Sequence, residues 1–292
     1  MRRLLSRSIP VVFILSIALP YLGACTTERP GRDARTLVAA LEGDPGHLNP
    51  AITTNGGIHT AAGLLYDGLI FIDSTLTPTP ALALRWETLD NGARYVFHLR
   101  PGVRWYDGQP FTAADVKFTV DSLLLRFQAR TRASMSPALL GVDAIDDSTV
   151  QFRFRRPYAP LLQQLDGDEA PILPQHLYAG QDPLHNPRNT APVGTGPFRF
   201  ASYNALSEIR FTANTEYFRG APFIRDVILR IIPDAGTRVI ALEAGEVDWL
   251  YSVPGAERAR LRKNPRIRLV QAAESPGGGN CITTMGFNLD RP

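Results

Sequence analysis

Histidines, thiols and paired carboxylates are the groups through which this chain could do chemistry, and their spacing decides which chemistry is open to it. The five histidines are His47, His59, His98, His176 and His185. None sits in His-Glu-x-x-His, the spacing that puts two imidazoles on one helical face around zinc. No Gly-x-Ser-x-Gly elbow is present to hold a serine nucleophile. No phosphate loop ends in Gly-Lys-Ser/Thr, and Gly194-Thr195-Gly196 lacks the third glycine of a dinucleotide fingerprint, with Arg199 in its place. Asp146-Asp147 reads as a solvated turn and not as a catalytic dyad. His98 alternates with Phe97 and Leu99, so it is expected to face solvent from a strand. The reading is a non-enzyme with no metal set and no cofactor. The alternative is an enzyme whose nucleophile and base lie far apart in sequence.

The two thiols are Cys25 and Cys281. Cys25 ends a leader-like stretch: Arg2, Arg3 and Arg7, an apolar run from Ile9 to Leu22, then Gly23-Ala24-Cys25. The run is shorter than the roughly 20 residues a spanning helix needs, and it contains Pro10 and Pro20. Leu22-Gly23-Ala24-Cys25 resembles a bacterial lipobox, in which a peptidase cuts before the cysteine and the thiol carries diacylglycerol. Small residues fit the peptidase groove, and a thiol forms a stable thioether. Several acyl chains on one residue anchor stably where one does not. An ordinary secretory signal that happens to end in Cys is the alternative. On the lipobox reading, residues 1–24 are a signal peptide, 25–35 a tether, and Cys281 stands alone as a buried, inert thiol.

The chain has 292 residues, 44% of them apolar and 20% charged, with 31 Lys+Arg against 28 Asp+Glu. That composition supports a packed core and excludes general disorder. Without the three leader arginines, 28 basic residues balance the 28 acidic ones. A nucleic-acid partner is therefore not expected, since such binders concentrate basic charge on one face.

Strands and helices alternate along the rest. Thr36–Leu41 reads as a buried strand, and Asp44–Pro50 as a turn cluster. Ile58–Leu69 has helical apolar spacing at 58, 61, 62, 65 and 69. Tyr95, Phe97 and Leu99 alternate as a half-buried strand, as do Val150, Phe152 and Phe154. Thr112-Ala113-Ala114-Asp115 is a capping box, followed by Val116, Val120, Leu123, Leu124 and Phe127 along one helical stripe. Phe198–Phe200, Glu208–Thr212, Val227–Ile231, Arg266–Val270 and Ile282–Phe287 read as strands. Helices are predicted over Thr237–Ala244, closed by Gly245, and from Pro254 to Lys263. The class is α/β or α+β.

Residues 83–116 carry a long ordered motif: Ala83-Leu84-Arg85-Trp86-Glu87, Asp90-Asn91-Gly92, Tyr95 through Pro110, then Phe111-Thr112-Ala113-Ala114-Asp115-Val116. It resembles the signature of the family 5 extracellular solute-binding proteins of ABC importers, which carry peptides, nickel complexes, haem and some sugars. Further matches follow in order: Leu48-Asn49-Pro50, Tyr66-Asp67-Gly68-Leu69, Gly194-Thr195-Gly196-Pro197-Phe198, Asn214-Thr215-Glu216-Tyr217, Gly220-Ala221-Pro222, Leu242 through Asp248, and Gly286-Phe287-Asn288. The likeness covers essentially all of residues 36–292.

The resemblance implies an α/β, periplasmic-binding-protein-like type II cleft fold. In it, 36–50 and 191–288 form two segments of lobe I, 51–190 form subdomain Ib, and 289–292 begin the hinge. Family members are considerably longer, so the second lobe and the returning segment are expected to be missing from this chain. By position, Thr54, Asn55 and Gly56 resemble the stretch that pairs with a peptide backbone, where glycine permits close approach; a plain surface loop is the other reading. Tyr251 and Ser252 resemble a second cleft-lining stretch, and Thr284 and Met285 a third, with local packing the alternative for each. The implied role is capture of a peptide outside the cytoplasmic membrane for delivery to ABC permease subunits. A nickel, haem or sugar binder, or a structural lipoprotein that no longer binds, are the alternatives. The implied location is the membrane surface, on the periplasmic or exterior side, held by the lipid on Cys25.

Overall fold

The computed structural model describes residues 33–270. Cys25, Cys281, Thr284, Met285 and the strand expected at Ile282–Phe287 lie outside the described residues. In chain order the strands are β1 (Thr36–Leu41), β2 (Ile70–Ile72), β3 (Pro78–Pro80), β4 (Ala83–Leu89), β5 (Arg94–Leu99), β6 (Leu139–Asp146), β7 (Thr149–Phe154), β8 (Phe198–Asn204), β9 (Glu208–Ala213), β10 (Asp226–Ile231) and β11 (Trp249–Leu250). The helices are α1 (Gly56–Ala62), α2 (Ala113–Phe118), α3 (Leu125–Phe127), α4 (Ala129–Met135), α5 (Leu161–Gln164), α6 (Gln175–Tyr178), α7 (Ala235–Ala244) and α8 (Gly255–Leu261).

The main sheet has the order β11-β1-β10-β9-β8. β1 runs parallel to both its neighbours, whereas β9 is antiparallel to β10 and β8. A parallel strand is covered on both faces, which explains the unbroken apolar run Leu37–Leu41. Strand periodicity divides that run. Val38 and Ala40 pack with Ala241 and Val247 on the α7 side, and Ala39 and Leu41 join the larger core.

A second, antiparallel sheet has the order β4-β5-β7-β6. Tyr95, Phe97 and Leu99 alternate inward from β5, and Val150, Phe152 and Phe154 from β7. Phe97 meets Phe152 edge-to-face at 5.6 Å, and Phe154 stacks on Tyr158 at 4.7 Å. β2 and β3 form a separate antiparallel pair.

The capping box forms as predicted. Asp115 Oδ2 accepts the Thr112 N–H at 2.9 Å. The stripe behind it buries Val116, Val120, Leu123 and Leu124 completely, but the helix is not uniform. It widens into a π segment over Thr119–Leu124 before α3. There the Thr119 hydroxyl accepts from the Leu173 N–H at 3.0 Å and donates to the Leu173 carbonyl at 3.2 Å.

Two expected elements differ. The helix predicted over Ile58–Leu69 stops at Ala62, with Gly63 at its C-cap. Beyond it, the Leu64 and Leu65 carbonyls accept the Phe198 and Gly196 N–H groups, each at 2.9 Å. Backbone pairing with a segment some 130 residues away thus replaces the next helical turns, although Leu65 and Leu69 remain fully buried. Tyr66-Asp67-Gly68-Leu69 accordingly lies outside the helix rather than at its end. The strand expected at Arg266–Val270 does not form; the segment follows α8 as turn and irregular chain.

Candidate functional site

β1, β10 and β11 are parallel and in register, Leu41 opposite Ile231 and Ala40 opposite Leu250. Their carboxyl ends therefore open onto one edge, the place where open α/β sheets bind ligands. Asp248 sets this arrangement. Its carboxylate accepts the Val38 N–H at 2.8 Å and its own N–H donates to the Val38 carbonyl at 2.6 Å. Trp249–Leu250 is thereby laid beside β1, and Tyr251 and Ser252 emerge at the edge next to Glu42.

Arg238 of α7 lies buried beneath, 7% exposed. Its guanidinium donates to the Ile232 and Pro233 carbonyls at 2.9 and 2.8 Å and to Glu42 Oε1 at 3.4 Å. The Ser252 hydroxyl donates to the same Oε1 at 2.5 Å. Glu42 is thus oriented through one oxygen while half of its side chain remains in solvent. Tyr251, 66% exposed, stands edge-to-face with Trp249 at 6.0 Å. The same sheet edge thus offers an exposed aromatic pair and, separately, a fixed carboxylate on the α7 side, groups that suit an apolar part and a cationic or hydrogen-bond-donating part of a small solute.

The structure places Tyr251 and Ser252 at this edge, and brings to it Glu42, Arg238 and Trp249, which the sequence reading does not name. Glu42 directly follows the first buried strand, which is a usable signal in an α/β chain. Arg238 carries no such signal, because its burial depends on the carbonyls of the preceding loop. The other expected stretch is an exposed loop at the start of α1. Asn55 Oδ1 accepts the Gly57 and Ile58 N–H groups at 2.9 and 3.4 Å, an N-cap. Gly56 has open space where a Cβ would stand. Asn55 therefore has a local structural task, and no described hydrogen bond joins this loop to Tyr251 or Ser252. Replacing Asn55 with alanine is expected to lower stability by about 1 kcal/mol, measured by urea unfolding.

A cavity of about 370 Å³ lies elsewhere, lined by Asp67, Phe71, Asp166, Asp168, Tyr217 and Arg219 among others. Asp67 accepts the Thr195 hydroxyl at 2.9 Å and the Tyr217 hydroxyl at 2.7 Å. Burial pushes its carboxyl above the ordinary range, against these two bonds. With both oxygens partnered, Asp67 is a strut between Tyr66-Asp67-Gly68 and Gly194-Thr195-Gly196. Among the described residues, no group of three or more His, Cys, Asp or Glu is placed to hold a metal ion. No helix there is long and apolar enough to cross a membrane.

The family described as "Bacterial extracellular solute-binding proteins, family 5 Middle" matches residues 77–292. The chain belongs to the family 5 extracellular solute-binding proteins. Its α/β fold is that of the periplasmic binding proteins. The dipeptide-binding protein of Escherichia coli K12 is 33% identical over 84% of this chain and 49% of its own length. Heme-binding protein A of Haemophilus influenzae is 28% identical over 91% of this chain and 51% of its own. Among solved structures, the periplasmic binding protein DppA of Helicobacter pylori in complex with peptide STSA superposes with a TM-score of 0.71 at 30% identity. It is matched over 79% of this chain and 49% of that one. This family 5 chain spans about half the length of the curated relatives it matches.

Proposed function

We propose that this family 5 chain captures a peptide outside the cytoplasmic membrane and delivers it to the permease of an ABC importer, without catalysing a reaction. What carries the reading is the edge at the carboxyl ends of β1, β10 and β11, which presents both the exposed Tyr251–Trp249 pair and a Glu42 carboxylate held by Arg238 and Ser252. The identity to proteins named for dipeptide binding supports the choice of solute. In this reading Thr54–Gly56, Tyr251, Ser252, Thr284 and Met285 line the site. Segments 36–50 and 191–288 form one lobe, and 51–190 its subdomain. The lipid on Cys25 tethers the protein through residues 25–35. Haem is the second solute, favoured by the likeness to heme-binding protein A over most of the chain.

Calorimetric titration of the protein extracted from its own membranes, with an Ala-Ala dipeptide, haem and a nickel–histidine complex in turn, tests the solute. Binding of the dipeptide alone supports the proposal; binding of haem alone moves it to the second reading. Tyr251→Ala is expected to weaken dipeptide binding about tenfold, as loss of an aromatic contact does. Unchanged affinity would remove Tyr251 from the site. The intact mass of the same material tests the anchor: removal of residues 1–24 with acyl chains on Cys25 is expected, and Cys25→Ser is expected to release the protein from the membrane.

A further inference from the structure

His59 in α1 is buried, 6% exposed, and its ring is held at both nitrogens. Nδ1 lies 2.7 Å from the Asp168 carbonyl oxygen, and Nε2 lies 2.9 Å from the Thr53 carbonyl oxygen. A carbonyl oxygen accepts hydrogen bonds and never donates one. A neutral imidazole has a single N–H, so in either tautomer one ring lone pair would confront a carbonyl lone pair. Only the imidazolium satisfies both contacts. The Asp168 carboxylate, 3.4 Å from Nδ1, supplies the counter-charge.

The other charged groups around this contact lie on the Asp168 side. Asp166 accepts the Asp168 and Glu169 N–H groups at 3.0 and 2.9 Å, and Glu169 pairs with Arg130 at 2.8 Å. From the other side, Thr53, Thr54, Asn55, Gly56 and the rest of α1 bring no titratable group.

We propose that His59 is a positioning residue for solute capture, whose imidazolium clamps the Thr53 carbonyl, and with it the Thr54–Gly56 loop, to the loop at Asp168, and whose deprotonation releases that loop. The consequence for the solute rests on the reading of Thr54–Gly56 as solute-lining. Burial opposes the charge on His59, but the bonds to Asp168 and Thr53 outweigh it, so its pKa in the folded protein stands above the ordinary 6.5. The clamp is therefore complete below about pH 6.5 and is lost as pH rises through the folded value. On the acid side the His59 bond holds Asp168 below 3.8, and the pairing is lost as pH falls through that lowered value.

The test is nitrogen-15 NMR of the imidazole together with amide hydrogen exchange of Asn55–Ile58, followed from about pH 6 to about pH 9. Two protonated ring nitrogens on His59 at about pH 6 are expected, with about tenfold loss of amide protection, beyond the intrinsic rate change, as the ring titrates. His59→Gln is expected to abolish the pH dependence, and Asp168→Asn to move its midpoint to lower pH. A ring that is neutral at about pH 6, or loop exchange with the same pH profile in His59→Gln, overturns the clamp. Dipeptide affinity measured on the same samples is expected to fall over the same pH interval. Flat affinity despite a titrating clamp overturns the role in capture. Absence of dipeptide binding at every pH overturns the proposed function and leaves the clamp to its own readouts.

Discussion

Gly194→Ala is expected to destabilise the protein by at least about 3 kcal/mol, a large part of the stability of an ordinary domain. An added Cβ would stand 1.9 Å from the Leu65 carbonyl oxygen and 2.8 Å from its carbon. That oxygen cannot step aside without loss. It accepts the Gly196 N–H at 2.9 Å and the Tyr106 hydroxyl at 2.8 Å. Gly196 is under the same constraint, its Cβ site lying 2.6 Å from the Leu65 carbon. Gly180 provides the control. It has a φ of +75° and nothing within 4 Å of its Cβ site, so Gly180→Ala brings only the conformational cost of about 1 kcal/mol. Urea unfolding of the two variants separates lack of space from backbone conformation. Equal losses would mean that the strand return at Gly194 yields easily.

Asp115→Ala should produce the second large loss, about 3 kcal/mol. The carboxylate is 4% exposed and serves three elements. Oδ2 accepts the Thr112 N–H at 2.9 Å and the Trp105 indole N–H at 3.4 Å, and Oδ1 accepts the N–H of Gln175, at the start of α6, at 2.8 Å. Alanine would leave these donors without partners, and each buried orphan costs about 1–3 kcal/mol before water or relaxation offsets it. Asp115→Asn keeps one accepting oxygen and turns an NH₂ toward donors, so about half of the loss should remain. Trp105, 2% exposed, reports the change: its emission should shift to the red in Asp115→Ala under native conditions. Normal stability with unshifted emission would show that Asp115 does no more than cap α2.

The legible parts of the fold were those whose causes are local. Alternation in Tyr95–Leu99 and Val150–Phe154 is a consequence of strand geometry, and the capping box at Thr112–Asp115 spans a single turn. The acidic pair Asp146-Asp147 stands at the turn between β6 and β7: Asp146 ends β6 and accepts the Ser148 N–H at 2.8 Å, and Asp147 lies in the turn itself. His98 likewise points outward and meets Glu87 at 3.0 Å. The misreadings were of segments whose backbone partners are remote. Ile58–Leu69 has impeccable helical spacing, yet the chain leaves the helix at Gly63 because Gly196 and Phe198 claim the carbonyls of Leu65 and Leu64.

The candidate site divides along the same line. Motif order singles out Tyr251 and Ser252, and the parallel register of β1, β10 and β11 sets them at the carboxyl edge of the sheet. Glu42 and Arg238 join Ser252 only through folding, since Glu42 and Ser252 are 210 positions apart in the chain, whereas Trp249 stands two residues before Tyr251. By itself, the sequence determined the family, the alternation of buried strands and the capping box at Thr112–Asp115, because each depends on residue type and short spacing. Tertiary structure decided where α1 ends, why Gly194 and Gly196 must be glycine, which carboxylate Ser252 meets, and that His59 faces two carbonyl oxygens. Those outcomes depend on distances of about 3 Å between atoms far apart in sequence, and spacing along a chain carries no record of them.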